Sequence, residues 1–264
     1  MRTPAISICV LSYGSFPQLA KRCIESIRKN CSRPRYKLIV GANAACAETS
    51  DYLQDLVKTG AIDQLHLSPV NINKCPMMRR MFEGISTDFI WWFDDDSYIA
   101  QPNALETHLQ IATNSPADVV LWGCRAFCTH AQDFTDLSDP TAFVRSAGWY
   151  GGLTPPSWQP GGKGEFDFEG QGTGDGRWDF VLGGCWLART SALKALDWPD
   201  RRLLLLGDDV LLGEAVRQQG WRLEHIGSEG LVIDTGPRRG TGRDGLFLRG
   251  QETGAASNSP GRIP

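Results

Sequence analysis

The sequence lacks several features that would assign the chain to whole classes of protein. No apolar run is long enough to span a bilayer, and the first residues lead directly into a strand pattern instead of a signal peptide. The formal net charge is only −3, which gives no support for a general binder of polyanions. No internal repeat is visible. These absences predict a cytoplasmic globular protein without a membrane span.

Cysteine shows no framework spacing. The eight cysteines are scattered along the 264 residues, several of them within apolar segments. In a chain of this size, that distribution favours reduced, buried thiols over a set of structural disulfides. The length suits one large α/β domain or two small ones, and the proportions of 41% hydrophobic and 22% charged residues are those of a soluble globular protein.

The most informative segment is residues 89–96, where an apolar run ends at Asp94, Asp95 and Asp96. Aromatic and β-branched residues favour a buried strand, and alternate side chains such as Asp94 and Asp96 would point the same way on it. Adjacent carboxylates repel one another, so a divalent cation that also binds phosphate oxygens would stabilise them. Oxygen ligands suit Mg²⁺ and Mn²⁺. The alternative is a solvated turn that follows an edge strand.

Strands and helices alternate in the first hundred residues. Strand patterns at 6–11, 37–40 and 65–67 are separated by helical patterns at 17–30, 51–58 and 74–83. This alternation predicts βαβ units and an α/β fold with a mostly parallel sheet flanked by helices. Ligands of such sheets bind beyond the carboxyl ends of the strands. Ser12, Tyr13, Asn43 and the three acids all lie at those ends, so we expect them to converge on one site.

The second part of the chain is less regular. A segment at 145–179 is rich in glycine, proline and tryptophan, and it predicts a mobile lid or an acceptor-binding loop, with a poorly ordered insertion without a role as the alternative. Its Trp149, Trp158 and Trp178 are candidates to stack on an acceptor. A strand is expected at 180–187, with Gly183 and Gly184 indicating close approach by another group. Further elements are expected at 104–112, 119–123, 190–196, 208–219, 221–226 and 231–233, and residues 250–264 form a predicted disordered tail.

Taken together, these segments resemble the GT-A fold glycosyltransferases, particularly those of family 2. The resemblance extends in order over residues 4–236. Four segments carry it: 6–13 resembles the first strand and nucleotide-contacting turn, 93–96 the DxD-type motif, 183–193 the acceptor-side strand and helix, and 207–213 the "ED" motif. A lone DxD is weak, whereas four motifs in the right order are specific. The resemblance implies a nucleotide-sugar-binding half at 1–100 and an acceptor-binding and catalytic half at 101–249.

The resemblance also implies roles for single residues. Asp96 would hold Mn²⁺ or Mg²⁺ with Asp94, and Asp95 would lie near the donor phosphates. Asp234 stands where many relatives have a late metal-binding residue. Asp209 matches the second acid of the "ED" pair and is the expected general base, with Asp208 beside it. By themselves, these two acids would suit a helix N-cap, most readily Asp208. The acceptor-side match adds Gly184 and Trp186 to the predicted acceptor site.

Donor recognition departs from the family pattern at one point. Many relatives carry an acid after the second strand that contacts uracil, whereas this chain has Asn43 there, which could substitute. Arg238 and Arg239 belong to a basic segment that suits a diphosphate, because guanidinium matches phosphate geometry. A solvated tail and a contact with a polyanionic acceptor are the alternatives for this segment.

The leading prediction is a metal-dependent, inverting glycosyltransferase that uses a nucleotide sugar, with a UDP-sugar favoured. The default acceptor is a glycan or small molecule, and a hydroxymethylated DNA base or a peptide is a minority alternative. A sugar-phosphate nucleotidyltransferase is a second reading, although the turn after the first strand lacks that class's basic Gly-rich loop. A catalytically silent nucleotide-sugar-binding module is a third.

Overall fold

The computed structural model describes residues 5–33, 35–129, 145–147, 150–153, 166–167, 178–181, 183–204 and 208–234. The first part of the chain alternates strands and helices as predicted: β1 (Ile6–Tyr13), α1 (Pro17–Asn30), β2 (Tyr36–Asn43), α2 (Ala47–Lys58), β3 (Gln64–Ser68), α3 (Lys74–Phe82) and β4 (Phe89–Asp94). A short strand, β5 (Ser97–Ile99), follows. The remainder comprises α4 (Ala104–Asn114), β6 (Val119–Thr129), β7 (Arg145–Ala147), β8 (Tyr150–Leu153), β9 (Phe166–Asp167), β10 (Trp178–Val181), β11 (Cys185–Arg189), α5 (Thr190–Ala195), α6 (Asp208–Gln218) and β12 (Arg222–Asp234).

One large sheet takes strands from both parts of the chain. Its order is β3-β2-β1-β4-β11-β6-β12-β5, with β7 paired to β6, and β10, β8 and β9 form a small second sheet. The strands β3, β2, β1 and β4 are parallel neighbours. β11 then runs antiparallel between β4 and β6, and β12 lies parallel to β6. The predicted α/β class with a mostly parallel sheet is therefore confirmed.

Strand β4 lies inside the sheet and is buried on both faces. Trp91, Trp92 and Phe93 have no exposed surface, because Trp91 and Phe93 pack in the cluster under α1 and Trp92 packs in the cluster under α3. This placement excludes the alternative of a solvated turn after an edge strand. The six cysteines with described side chains are free thiols. Five of them are buried, as expected (Cys9, Cys23, Cys31, Cys75 and Cys185), and Cys46 is partly exposed.

The sheet must curl, because β4 and β5 are close along the chain but distant in the sheet order. Only Asp95 and Asp96 separate the two strands, and three Cα steps reach at most about 11 Å. Four strand spacings in a flat sheet would require about 19 Å. The register of β12 shifts between Ile226 and Leu231, and such irregularities bend a strand. The turn formed by Asp95 and Asp96 (the acidic turn) therefore lies at one end of a curled sheet, where β4 and β5 come close together.

Two expectations about strands need correction, and one further strand was not predicted. The strand predicted at 180–187 is two strands, β10 and β11, separated by a turn at Gly183 and Gly184. The two late strands are one strand, β12, with the irregularity just described. Strand β5 was not predicted, because a three-residue strand has too little pattern to be recognised; it is held by pairing with β12 far along the chain.

Candidate functional site

The three acids occupy different environments at the end of β4. Asp95 is 1% exposed, and one of its oxygens accepts a hydrogen bond from the Tyr13 amide at 3.3 Å, while its own amide donates to Leu11 at 3.1 Å. Asp95 thus fastens the acidic turn to the end of β1. Asp95 therefore stabilises the turn itself, whereas the side chains of Asp94 and Asp96 face other groups.

Asp94 faces a lysine that sequence reasoning did not single out. Its Oδ2 lies 3.1 Å from Lys74 Nζ, and its Oδ1 accepts a hydrogen bond from Trp92 Nε1 at 3.1 Å. Its backbone amide donates to the carbonyl of Gly184 at 2.8 Å. Lys74 is the first residue of α3, and no local pattern distinguishes it from a surface lysine at a helix start.

Asp96 is 8% exposed and lies close in backbone register to the end of β12. Ser97 pairs with Ile233 in antiparallel register, so the next positions outward along the two strands are Asp96 and Asp234. The backbone therefore brings two of the predicted metal ligands, Asp96 and Asp234, to the same end of the curled sheet. Among residues with described side chains, no group of three acids, histidines or cysteines is arranged to hold an ion.

The acids at the start of α6 meet Asp94 through Lys74. Asp208 Oδ2 lies 3.2 Å from Lys74 Nζ, and the Asp208 side chain is only 9% exposed. Burial raises the pKa of Asp208 to about 6; the positive charge of Lys74 opposes this rise, and the charges of Asp209 and Asp94 add to it. Burial disfavours the charged form of Lys74, but the Asp94 and Asp208 carboxylates overcome it and hold the Lys74 pKa above its ordinary value.

Asp209 is oriented by backbone amides. Its Oδ2 accepts a hydrogen bond from the Gly183 amide at 3.1 Å, and its Oδ1 accepts one from the Val210 amide at 2.9 Å. The Gly183 carbonyl accepts a hydrogen bond from Lys74 at 3.1 Å. A Cβ at position 183 would lie 3.2 Å from Lys74 Nζ and 3.3 Å from Asp209 Oδ2, so only glycine lets these groups approach so closely. The predicted close approach at the glycine pair comes from the protein's own side chains.

The predicted donor-contacting residues lie together at the ends of β1 and β2. Ser12 and Asn43 are buried, whereas Tyr13 is partly exposed. The Asn43 side chain is held inside the protein: its Oδ1 accepts from the Ile72 amide at 2.9 Å, and its Nδ2 donates to Asn71 Oδ1 at 3.0 Å. The Asn71 amide reaches the Tyr13 hydroxyl at 3.5 Å. Asn71 was not singled out from the sequence, although it stands in an Asn-rich loop.

The predicted acceptor residues are placed less uniformly. The Gly184 carbonyl accepts hydrogen bonds from the Asp94 amide and the Ser97 hydroxyl, so it supports the acidic turn. Trp186 is 1% exposed and stacks on Trp92 at a centroid distance of 6.0 Å, so its ring packs inside the protein instead of facing an acceptor. Trp178 lies in β10, where its backbone pairs with Leu153. Four predicted residues lie outside the described residues: Trp149, Trp158, Arg238 and Arg239.

A cavity of about 640 Å³ lies between α3 and α5. Its walls include Cys75, Arg79 and Trp198, and they contain none of the predicted site residues. Several of its charges are already paired, since Arg79 binds Asp197 and two neighbouring backbone carbonyls. We therefore assign the candidate site to the acids at the end of β4 and at the start of α6 (the acidic cluster), and not to this cavity.

The architecture of the sheet and the position of the acids define a GT-A type fold. More particularly, the chain belongs to the family described as "Glycosyltransferase like family 2", whose sequence pattern matches residues 4–226. Curated protein sequences offer no significant match. Across the described residues, no helix is both long and apolar enough to cross a membrane.

Solved structures of glycosyltransferases share the fold. The mannosyltransferase PcManGT from Pyrobaculum calidifontis, in complex with GDP-Man and Mn²⁺, superposes with a TM-score of 0.60 at 13% identity, covering 90% of this chain and 59% of that one. S. aureus TarS 1-349 gives a TM-score of 0.58 at 11% identity, covering 87% and 60%. Its complex with UDP gives 0.55 at 11% identity, covering 94% and 63%. The chain thus spans about 60% of the length of these proteins.

Proposed function

We propose that this protein is a metal-dependent, inverting glycosyltransferase that moves a sugar from a nucleotide diphosphate sugar to a hydroxyl acceptor. Asp209 is the general base, and the acids after β4 serve the donor phosphates. Family membership and the GT-A fold support this reading. The whole activity is our inference from this chain's own site and its relatives.

One observation carries the proposal: the acids of β4 and those of α6 share one centre. Asp94 and Asp208 contact the same Lys74 ammonium, and Asp209 reaches that ammonium through the Gly183 peptide. Asp94 and the acids of α6 are more than a hundred positions apart along the chain. Sugar transfer requires that the acids serving the donor phosphates lie close to the acid that acts as the base. A surface ion pair or an isolated helix cap would not bring these two groups of acids together.

The chemistry follows from the placement of Asp209. The acceptor hydroxyl gives its proton to Asp209 as its oxygen forms a bond to the anomeric carbon. The bond between that carbon and the diphosphate oxygen breaks, and the nucleotide diphosphate leaves with the electron pair. A base on the side opposite the leaving group gives inversion, as in other glycosyl displacements. The two amide donors on Asp209 fix the direction in which its remaining lone pairs point.

A divalent cation fits the donor side. The residues for it are Asp96 and Asp94, with Asp234 adjacent to Asp96 in register. Mg²⁺ and similar ions are commonly held by one or two carboxylates together with substrate phosphates, so a preformed three-residue cage is not required. When bound, the ion would neutralise charge on the departing diphosphate. The mannosyltransferase PcManGT, which shares the fold, was solved with Mn²⁺.

Donor recognition is proposed at the Tyr13 end of β1. Asn43 has its amide committed to Asn71 and Ile72, so it holds the 71–73 loop in place, and the proposal puts the base beside Tyr13 and this loop. The Asp95 carboxylate accepts a hydrogen bond from the Tyr13 amide, and Ser12 is buried at the preceding position of β1. We retain a UDP-sugar as the first donor to test, with a GDP-sugar second, because structures sharing the fold contain UDP and GDP-Man.

The acceptor side of the proposal rests on the tryptophans of segment 145–179. We propose that Trp149, Trp158 and Trp178 stack on the acceptor, since aromatic rings suit sugar faces. Arg238 and Arg239 are proposed to bind the diphosphate. A glycan or small-molecule acceptor is the first to test, and a hydroxymethylated DNA base or a peptide is the second.

The test combines binding with turnover. The purified protein with Mn²⁺ is screened against nucleotide sugars by thermal shift, since a ligand that binds the native state raises its melting temperature. Products with candidate acceptors are then identified by mass spectrometry. Asp209→Asn should abolish transfer while donor binding persists, Asp96→Asn should weaken both, and Asp51→Asn, on the exposed face of α2, is the matched control. Donor binding without turnover in any metal would instead identify a binding module.

A further inference from the structure

The Lys74 ammonium is enclosed by three acceptors that belong to three separate segments of the chain. Asp94 Oδ2 lies at 3.1 Å, Asp208 Oδ2 at 3.2 Å and the Gly183 carbonyl at 3.1 Å. The Lys74 side chain is 14% exposed, and its ammonium lies 5.8 Å from the centroid of the Trp92 ring. Lys74 therefore joins the end of β4, the turn before β11 and the start of α6.

The partners of the ammonium just described are groups of the protein itself. A lysine side chain carries three N–H donors and no acceptor. Two of these donors make hydrogen bonds to Asp94 and to the Gly183 carbonyl, and the Asp208 carboxylate forms an ion pair at 3.2 Å. The effect of Lys74 on the reaction therefore passes through the groups it holds.

The Gly183 peptide is one of those groups, and it leads to the base. Lys74 holds the carbonyl of Gly183, and the amide of the same residue donates to Asp209 Oδ2 at 3.1 Å. A Cβ at position 183 would lie within 3.3 Å of both Lys74 Nζ and Asp209 Oδ2, so both side chains pack closely against this glycine. A change at Lys74 would free the turn that orients the Asp209 carboxylate.

We propose that Lys74 is a positioning residue for Asp209, acting through the Gly183 peptide and through Asp208. The inference rests on the proposed function, since it assumes that Asp209 is the base. Lys74 itself touches neither the donor nor the acceptor. Its removal should therefore lower the rate of transfer far more than it changes the affinity for the donor.

The decisive variant is Lys74→Met, which keeps the length of the side chain and removes the three donors. A loosened base should lower kcat by about 100-fold, since misplacement of a catalytic group by about 1 Å has effects of this size. The KM for the donor should stay within about threefold of the wild type, because Asp94, the donor-side group that Lys74 contacts, is also held by Trp92 Nε1. Lys74→Arg, which keeps a cation but not the compact geometry, should recover part of the lost kcat.

A spectroscopic readout makes the inference testable without turnover. The Gly183 amide donates to a carboxylate, which moves its proton resonance downfield in a ¹H–¹⁵N spectrum. In Lys74→Met this resonance should move upfield, and in Lys74→Arg it should lie between the two. Lys58→Met is the matched control, because Lys58 is exposed on α2, where it pairs with Asp55, and it should leave both kcat and the Gly183 resonance unchanged.

The outcomes separate this inference from the proposed function. A wild-type protein that transfers sugar, together with a Lys74→Met variant of equal kcat and an unmoved Gly183 resonance, overturns the inference and leaves the function standing. A wild-type protein that uses no nucleotide sugar refutes the function itself. If Lys74→Met does not fold, Lys74→Arg decides: a Gly183 resonance and kcat identical to those of the wild type overturn the inference.

Discussion

The buried acid Asp208 makes a sharp prediction about stability and pH. Its pKa is raised in the folded protein from the ordinary 3.8 to about 6, chiefly by burial, despite the nearby Lys74. Below pH 3.8 the folded state gains the full benefit of the protonated carboxyl. That benefit is lost as the pH rises through 6, so the contribution of Asp208 to stability falls with rising pH.

The size of the effect follows from the two pKa values. A rise from 3.8 to about 6 corresponds to about 3 kcal/mol of unfolding free energy. Of this stabilisation, about 2 kcal/mol is lost as the pH rises from about 4.5 to about 7.5, and the remainder is already lost below about pH 4.5. The variant Asp208→Asn cannot titrate, and its amide oxygen can still accept a hydrogen bond from Lys74. Its stability relative to the wild type should therefore rise by about 2 kcal/mol across this range.

Urea unfolding at several pH values between these limits measures the difference directly. The unfolding free energies of wild type and Asp208→Asn are subtracted at each pH, which cancels the titration of groups common to both proteins. Asp51→Asn, an exposed substitution on α2, serves as the control and should give a difference that does not vary with pH. A difference for Asp208→Asn that stays constant across the range would refute the reasoning, because it would mean that the carboxyl is not buried against the cluster.

Two further variants test other contacts of the described structure. Gly183→Ala places a methyl group 3.2 Å from Lys74 Nζ and 3.3 Å from Asp209 Oδ2, and it should lower kcat about tenfold with less than threefold change in donor KM; a wild-type kcat would contradict it. Arg189→Lys should destabilise the protein by about 1–2 kcal/mol, measured by urea unfolding, because the Arg189 guanidinium donates to the carbonyls of Val119, Ala112 and Ser115 and a lysine cannot reach all three; an unchanged midpoint would count against this role.

The sequence predicted those parts of the fold that depend on residues close together along the chain. The alternation of strands and helices up to Asp94 follows from periodicity within each segment, and α1 and α3 occupy nearly the expected residues. The acids after β4 were recognisable because three adjacent carboxylates at the end of an apolar strand are unusual. Their convergence with Asp209 was expected from the order of motifs, and the contacts through Lys74 and Gly183 agree with it.

The remaining features depend on contacts between distant segments. Lys74 has no local signal, because its role arises only when α3 packs against the start of α6. Trp186 shows the same problem in reverse: an aromatic residue in a strand looks alike whether it faces a ligand or the core, and here it stacks on Trp92. Asn43 was expected to read a base, but hydrogen bonds to the 71–73 loop occupy its amide.

Strand β5 has a practical consequence for building chimeras from relatives of this protein. Ser97–Ile99 belongs to the early part of the chain, yet it hydrogen-bonds at the far edge of the sheet to Leu231, Val232 and Ile233. If the crossover is placed directly after β4, the paired strands β5 and β12 come from the same parent. If it is placed after residue 100, β5 and β12 come from different parents and must still pair. Exchanges of acceptor specificity should therefore be joined ahead of Ser97.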